Sequence, residues 1–403
     1  MPHESYFSSY EEYVMTSSKN YEALQDAATS TMPKMPRSER LHYLDALRSF
    51  CMLLGIFVHA TTLNNFGWLD FIPFISDQFR MATFFAASAM LSVLVLQRRT
   101  ASSFVGKRLI MLLIPFVVGV LLLNPATLWL IWQVRGSEPE SLMDILSLSI
   151  SSDGLRTPEN LVWHLHLWFL VTLAVYATVT PAFNRIIGSA WFSQKFNEFL
   201  QWIPASLRIF SVALGAAAIA ILLRGIGEVL FPQLYEWWLT RATLLNVTFF
   251  ITGILIAHSA PLRTVGFDTV SVISALLLIV LLKLEVFPSD SVIGKLVGLC
   301  IDQIVNVCAI FFLMWIFRKF ANNPSRIVEL VIRTIYTVYI FHYLFIYIVG
   351  ALFIDSDVNK YIVYIISVIM AFLGGLVTHK IVSEVSLLSW LFNGKGIRIQ
   401  AVQ

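Results

Sequence analysis

Residues 44–59 read LDALRSFCMLLGIFVH, an apolar run that carries Asp45, Arg48 and His59 inside it. At 3.6 residues per turn, Asp45, Arg48, Met52, Gly55 and His59 share one helical face. The step from Arg48 to His59 is close to three turns, about 16 Å along the axis. Ionisable groups within an apolar helix are costly and usually face a bundle interior or a cavity. A lone histidine on such a helix is ordinarily structural. One stacked above an Asp/Arg pair is a candidate for chemistry, with the guanidinium near one mouth of the helix and the imidazole deeper.

The rest of the chain has the composition this helix implies. Of 403 residues, 57% are hydrophobic and only 13% charged, against ~25% in a soluble globular domain. The formal net charge of +3 and the absence of a basic run argue against a nucleic-acid partner. A bilayer core needs ~20 apolar residues per helical crossing, whereas a membrane barrel would show ~10-residue alternating segments. The long continuous runs here predict an all-α integral membrane protein of about ten transmembrane helices. They fall near 44–65, 71–96, 109–134, 161–187, 207–230, 242–260, 267–284, 292–317, 330–354 and 361–383.

The even count is checked by charge. With the N-terminus inside, Arg98, Arg99, Lys107, Arg108, Arg318, Lys319, Arg326 and Arg333 all fall on the inner side, as the positive-inside rule requires. Both termini are then cytoplasmic, and the lipid bilayer is the chain's surround. Residues 1–36 contain no apolar signal-peptide core, so the run from Leu41 reads as an uncleaved anchor. The expected organisation is a flexible polar tail over 1–40, a ten-helix domain over 41–390 and a short tail over 391–403. Two loops exceed what a connector needs. The acidic 135–160 suits a helix lying over the bundle. In 188–206, Trp191, Phe192, Phe196, Phe199 and Trp202 are spaced for a helix lying in the interface.

Counting depth from the helix ends brings Arg80, Asp302 and His342 to the layer of His59, with His164 and His166 just below the surface. Convergent polar groups from separate helices suggest a pocket within the membrane. Asp302 and Arg80 also fit a structural ion pair. Cys51, Cys300 and Cys308 lie in apolar stretches without metal-ligand spacing, so neither a metal nor a disulfide framework is expected. No GxSxG, Walker A, HExxH or GxGxxG pattern occurs. The chemistry such groups allow is acyl transfer: a neutral histidine takes a hydroxyl proton, an Asp orients it, and Arg binds phosphate or carboxylate.

Five short pieces in order resemble the membrane acyltransferase family 3. They are Arg48 followed by His59; Phe79-Arg80-Met81 with Phe84-Phe85 and Ser88; Lys107-Arg108-Leu109 through Pro115; His166-Leu167-Trp168-Phe169-Leu170; and Tyr339-Ile340-Phe341-His342. Ser88-Ala89-Met90 departs from that family's Ser-Gly-aromatic pattern. Leu53–Ile56, the Phe-Arg-Met piece and Leu391–Lys395 look similar to the family's branch that succinylates osmoregulated periplasmic glucans.

The resemblance implies that His59 is the catalytic base, that Arg48 helps bind the acyl donor, and that Arg80, His166 and His342 line the site. Trp168 belongs to the His166 motif, Asp45 accompanies Arg48 in substrate binding, and Asp302 is kept as a catalytic acid on depth alone. Arg108 and Arg333 join Arg48 in holding the donor at the basic inner surface. The implied donor is acyl-CoA (succinyl-CoA or acetyl-CoA), with no resident cofactor. The implied acceptor is a periplasmic glucan or another glycan in the bacterial inner membrane's outer compartment. A homo-oligomer is compatible with the sequence. The rival readings are O-acetylation of another exported or surface polysaccharide, and a lipid or sugar transporter without acyl chemistry. Against the transporter, no pair of Gly/Pro-broken helices stands in matching halves.

Overall fold

The computed structural model describes residues 41–136, 164–265, 291–323 and 325–394. The expected tails over 1–40 and beyond 394, most of the acidic loop and the expected span over 267–284 lie outside them. Every regular element among the described residues is helical. In chain order they are α1 His42–Ala60, α2 Phe71–Asp77, α3 Arg80–Leu96, α4 Ala101–Val118, α5 Asn124–Arg135, α6 Trp168–Ile187, α7 Ala190–Trp202 and α8 Ala205–Leu230. There follow α9 Pro232–Glu236, α10 Trp238–His258, α11 Ala260–Val265, α12 Val292–Phe320, α13 Arg326–Leu352, α14 Lys360–Glu384 and α15 Ser386–Asn393. Nine stretches among the described residues are long and apolar enough to cross a membrane, and each matches one of the expected spans.

Two of these stretches are not the uniform helices their hydropathy predicts. The second is interrupted at Gln78 and Phe79, so α2 ends and α3 begins again at Arg80. The third changes pitch: α4 passes through Pro115, widens to a π-helical turn over Gly119–Leu123 and resumes as α5 with Pro125 in its first turn. Proline has no N–H to donate and its ring crowds the carbonyl four residues back, so a wider turn is the expected accommodation. The long loop after α6 does contain a helix, α7, which leaves Trp191, Phe199 and Trp202 exposed.

α1 is the axle of the fold, packed against α3, α12, α13 and α14. Around it, α13 pairs closely with α14, α3 with α10, and α8 with α12. Between helices in lipid, small residues permit close approach and dispersion supplies the attraction. α3 illustrates this: Ala82, Ala86, Ala87, Ser88 and Ala89 are all buried. A Cβ added at Gly253 on α10 would collide with the Ala86 backbone, so glycine sets that helix–helix distance.

Candidate active site

The face of α1 that carries Arg48, Met52, Gly55 and His59 is turned into the bundle, and each level of it meets a different set of groups. At the His59 level three imidazoles converge. His59 comes from the last turn of α1, His166 from the 3-10 turn Leu165–Leu167 before α6, and His342 from the middle of α13. Ring centroids lie 5.2 Å apart for His59–His342, 6.0 Å for His59–His166 and 4.7 Å for His166–His342. The Tyr343 ring stands edge-on to His59 at 4.9 Å, and Tyr339 packs on both His166 and His342. Leu165, with φ of 45°, adopts the left-handed backbone that side-chain-bearing residues avoid. That cost of about 1–2 kcal/mol is borne by the turn that holds His166.

Hydrogen bonds fix which nitrogens of this group are bases. His342 Nδ1 donates to the carbonyl of Tyr339, and His166 Nε2 donates to the carbonyl of Ile340 at 3.3 Å. A carbonyl only accepts, so in the neutral rings those nitrogens carry the protons. The opposite nitrogens, His342 Nε2 and His166 Nδ1, are then bare lone pairs, buried and without a partner. The His59 ring makes no hydrogen bond among the described residues and is half-buried.

One turn to two turns below, Gly55 faces Arg80 and Tyr339. A Cβ there would stand 2.8 Å from Arg80 Nη1 and 2.8 Å from Tyr339 Cε2, so the guanidinium and the phenol ring occupy the room that glycine leaves. Arg80 and the Tyr339 phenol thus meet over Gly55 and act on each other electrostatically. Arg80 is only 8% exposed, and its Nε has no partner. It reaches the carboxylate of Asp77, at the end of α2, electrostatically. Cys51, Met52, Arg80, Met81, Phe84, Phe169 and Tyr339 line a small, tightly packed pocket at this level.

At the Arg48 level two guanidinium groups face one carboxylate. The Arg48 guanidinium lies over the Phe84 ring at 5.3 Å, with Nε buried and unpartnered, and Asp45 one turn earlier acts on it electrostatically. Arg108 on α4, half-buried over Phe104, is within electrostatic reach of Arg48 and Arg99.

The remaining sequence candidates lie elsewhere. Arg333 is exposed and pairs with Glu329 at 3.4 Å, one turn earlier on the same helix. Asp302 is exposed on α12, while the next residue, Gln303, is buried and accepts a hydrogen bond from Thr248. Asp302 is not among the groups packed on the histidines. Trp168 starts α6 half-buried, 6.1 Å from the Phe85 ring, and His164 is buried with Nδ1 donating to Leu165 O. Among the described residues no group of three or more His, Cys, Asp or Glu side chains is placed to hold a metal ion. Tyr339 and Tyr343, which pack on the histidines, and Tyr347, which packs on Tyr343, recur every four residues along α13, a periodicity visible in the sequence and not used there.

An acyltransferase-domain family model matches residues 41–380 of the chain. Two curated proteins named Glucans biosynthesis protein C, from Escherichia coli O139:H28 (strain E24377A / ETEC) and Escherichia coli O9:H4 (strain HS), are each 25% identical to it. Both alignments run over 391 residues and cover 89% of this chain and 96% of theirs. No solved structure matches it.

Proposed function

The chain belongs to the membrane acyltransferase family 3, and from that premise we propose that it is a glucan O-succinyltransferase of the bacterial inner membrane. The donor is cytoplasmic succinyl-CoA, and the acceptor is a hydroxyl of a periplasmic glucan. The observation that supports this most is the order of groups along α1: cations at Arg48, the Arg80 guanidinium with a phenol at Gly55, and, beside His59, the bare nitrogens of His166 and His342.

In this reading Arg48 and Arg108 bind the anionic end of the donor, where a planar guanidinium grips a phosphate through two hydrogen bonds. The acyl thioester extends past Met52, Phe84 and Phe169 to the level of Arg80 and Tyr339. His59 accepts the proton of the acceptor hydroxyl as its oxygen attacks the thioester carbon. The negative charge that develops on the carbonyl oxygen is met by the Arg80 guanidinium and the Tyr339 hydroxyl, donors already in position before reaction. The C–S bond breaks, the thiolate of CoA leaves, and the imidazolium proton neutralises it. An ester and free CoA thiol result. His166 and His342, locked by backbone carbonyls, hold the tyrosine and imidazole rings around His59 in one arrangement.

Arg80 tests the reading, because its two conceivable roles differ in outcome. As an oxyanion donor it serves any acyl group, so Arg80→Gln should lower turnover with succinyl-CoA and acetyl-CoA by the same factor, about 10²–10³. If Arg80 instead held the free carboxylate of succinate, the succinyl rate alone would collapse. Unchanged rates with both donors would exclude each role.

A further inference from the structure

Nine residues after His59 the chain builds an exposed aromatic surface that the transfer chemistry does not use. The Trp68 ring is near-parallel to two others: Phe71 at 6.1 Å and 15°, and Tyr361 of α14 at 5.9 Å and 26°. Even so, Trp68 is 66% exposed and Phe71 49%. The surface is firmly held. The Tyr361 hydroxyl donates to Phe66 O at 3.0 Å, Lys360 Nζ donates to Asn65 O at 2.6 Å, and Asn359 caps the Tyr361 N–H. Phe66 is buried beneath, edge-on to Tyr364.

Its rim is polar. Asn64, Asn65, Asp70 and Lys360 are all exposed beside the rings. Asp70 and Lys360 would be costly in hydrocarbon, so this surface belongs in water or at the headgroups rather than against lipid tails. It is also joined to the site. Thr62 Oγ1 donates to His59 O at 2.6 Å and shares a 2.9 Å hydrogen bond with Tyr347 OH, whose ring packs on Tyr343 against His59.

Flat, exposed, near-parallel rings with amide and charged groups at the edge match one ligand chemistry closely. A pyranose ring offers apolar C–H faces for stacking and a circumference of hydroxyls for hydrogen bonds. Building on the glycan-acceptor reading above, we propose that Trp68, Phe71 and Tyr361 form a platform on which the sugar rings of a neutral glucan stack. The platform presents one hydroxyl at a time to His59, and the residues beyond the reacting sugar supply affinity without taking part in proton transfer.

The test is calorimetric binding of a linear neutral glucan oligosaccharide to the purified full chain, with no acyl donor present. Wild type should bind. Trp68→Ala should weaken binding about tenfold, the order of one lost aromatic contact, and Trp68→Tyr should restore most of it. Phe71→Ala gives an independent version should Trp68→Ala not fold. In turnover, the KM for the glucan should rise by the same factor with kcat unchanged. No binding by wild type, or equal affinity in the Ala variants, overturns the platform. Unchanged affinity with a lower yield of membrane-inserted protein would make Trp68 an interfacial anchor instead, which also overturns it. Binding through Trp68 in a protein that releases no CoA from acyl-CoA would leave the platform standing and sink the acyl-transfer reading.

Discussion

The two ends of the inward face of α1 handle buried polarity in opposite ways. Around Arg48 two half-buried permanent cations rest on Phe84 and Phe104 near one another, with Asp45 one turn before Arg48 and one guanidinium nitrogen unpartnered. Around His59 the polar groups are rings that carry no charge when neutral, locked by backbone carbonyls and enclosed by tyrosines. Clustered cations repel, and the arrangement is relieved when an anion arrives. The bare nitrogens of His166 and His342 are instead open to a hydrogen-bond donor. In the proposed reading one end holds a charged ligand and the other accepts a proton. Gly55, with Arg80 and Tyr339 filling the space over it, is the boundary between them.

The largest break in this contrast should come at the proton-accepting end. His59→Ala is expected to cut kcat about 10²–10⁴-fold, the usual loss of a general base, while detergent-solubilised protein elutes and melts as wild type. Activity within threefold would move the base to another group. Next comes the boundary. Gly55→Ala puts a methyl into the Arg80–Tyr339 contact. It should destabilise by about 1–3 kcal/mol and lower kcat roughly tenfold or more as the oxyanion donors shift, without weakening CoA binding. A parallel fall in CoA affinity would show that the two ends are not separable.

Smaller effects belong to the cationic end. Arg48→Ala should raise the donor KM, and Arg48→Lys should recover it only partly, because an ammonium is a point charge and not a planar fork. Equal CoA affinity in a folded Arg48→Ala protein would reduce Arg48 to a structural partner of Asp45. The smallest effect is expected at Arg333, exposed and tied to Glu329. Arg333→Ala should change donor KM by no more than about twofold, as for a surface ion pair, and a larger rise would extend the donor site onto that flank of α13.

Much of the fold is legible in the amino-acid sequence alone. The Arg48–His59 spacing gave one face of one helix, since helical period is a local property. Hydropathy located the nine spans that the structure describes. Hydropathy did not reveal the break at Gln78–Phe79 or the π turn, although Pro125 marks the second. Depth counting worked where rotation also agreed, as for Arg80 and His342. It misled for Asp302, because depth fixes height along a helix and not the direction faced. On α12 the packed side runs through Gln303, Val307, Ile310, Phe311 and Met314, and Asp302 is exposed outside that stripe. The same ambiguity applies to Arg333, next to buried Thr334. The Arg80–Tyr339 contact over Gly55 joins three helices distant in sequence, and no local pattern announces such a meeting.

The central claim is that the His59 end performs acyl transfer to a sugar hydroxyl with a thioester supplied from the Arg48 end. It is tested most directly by incubating the purified protein with succinyl-CoA or acetyl-CoA and a neutral glucan, then measuring released CoA thiol and the mass of the glucan together. The account predicts thiol release matched one for one by ester on the glucan, with succinyl-CoA the better donor, and both lost in His59→Ala. Glucan binding with no thiol released and no ester formed, at any donor concentration, would contradict it.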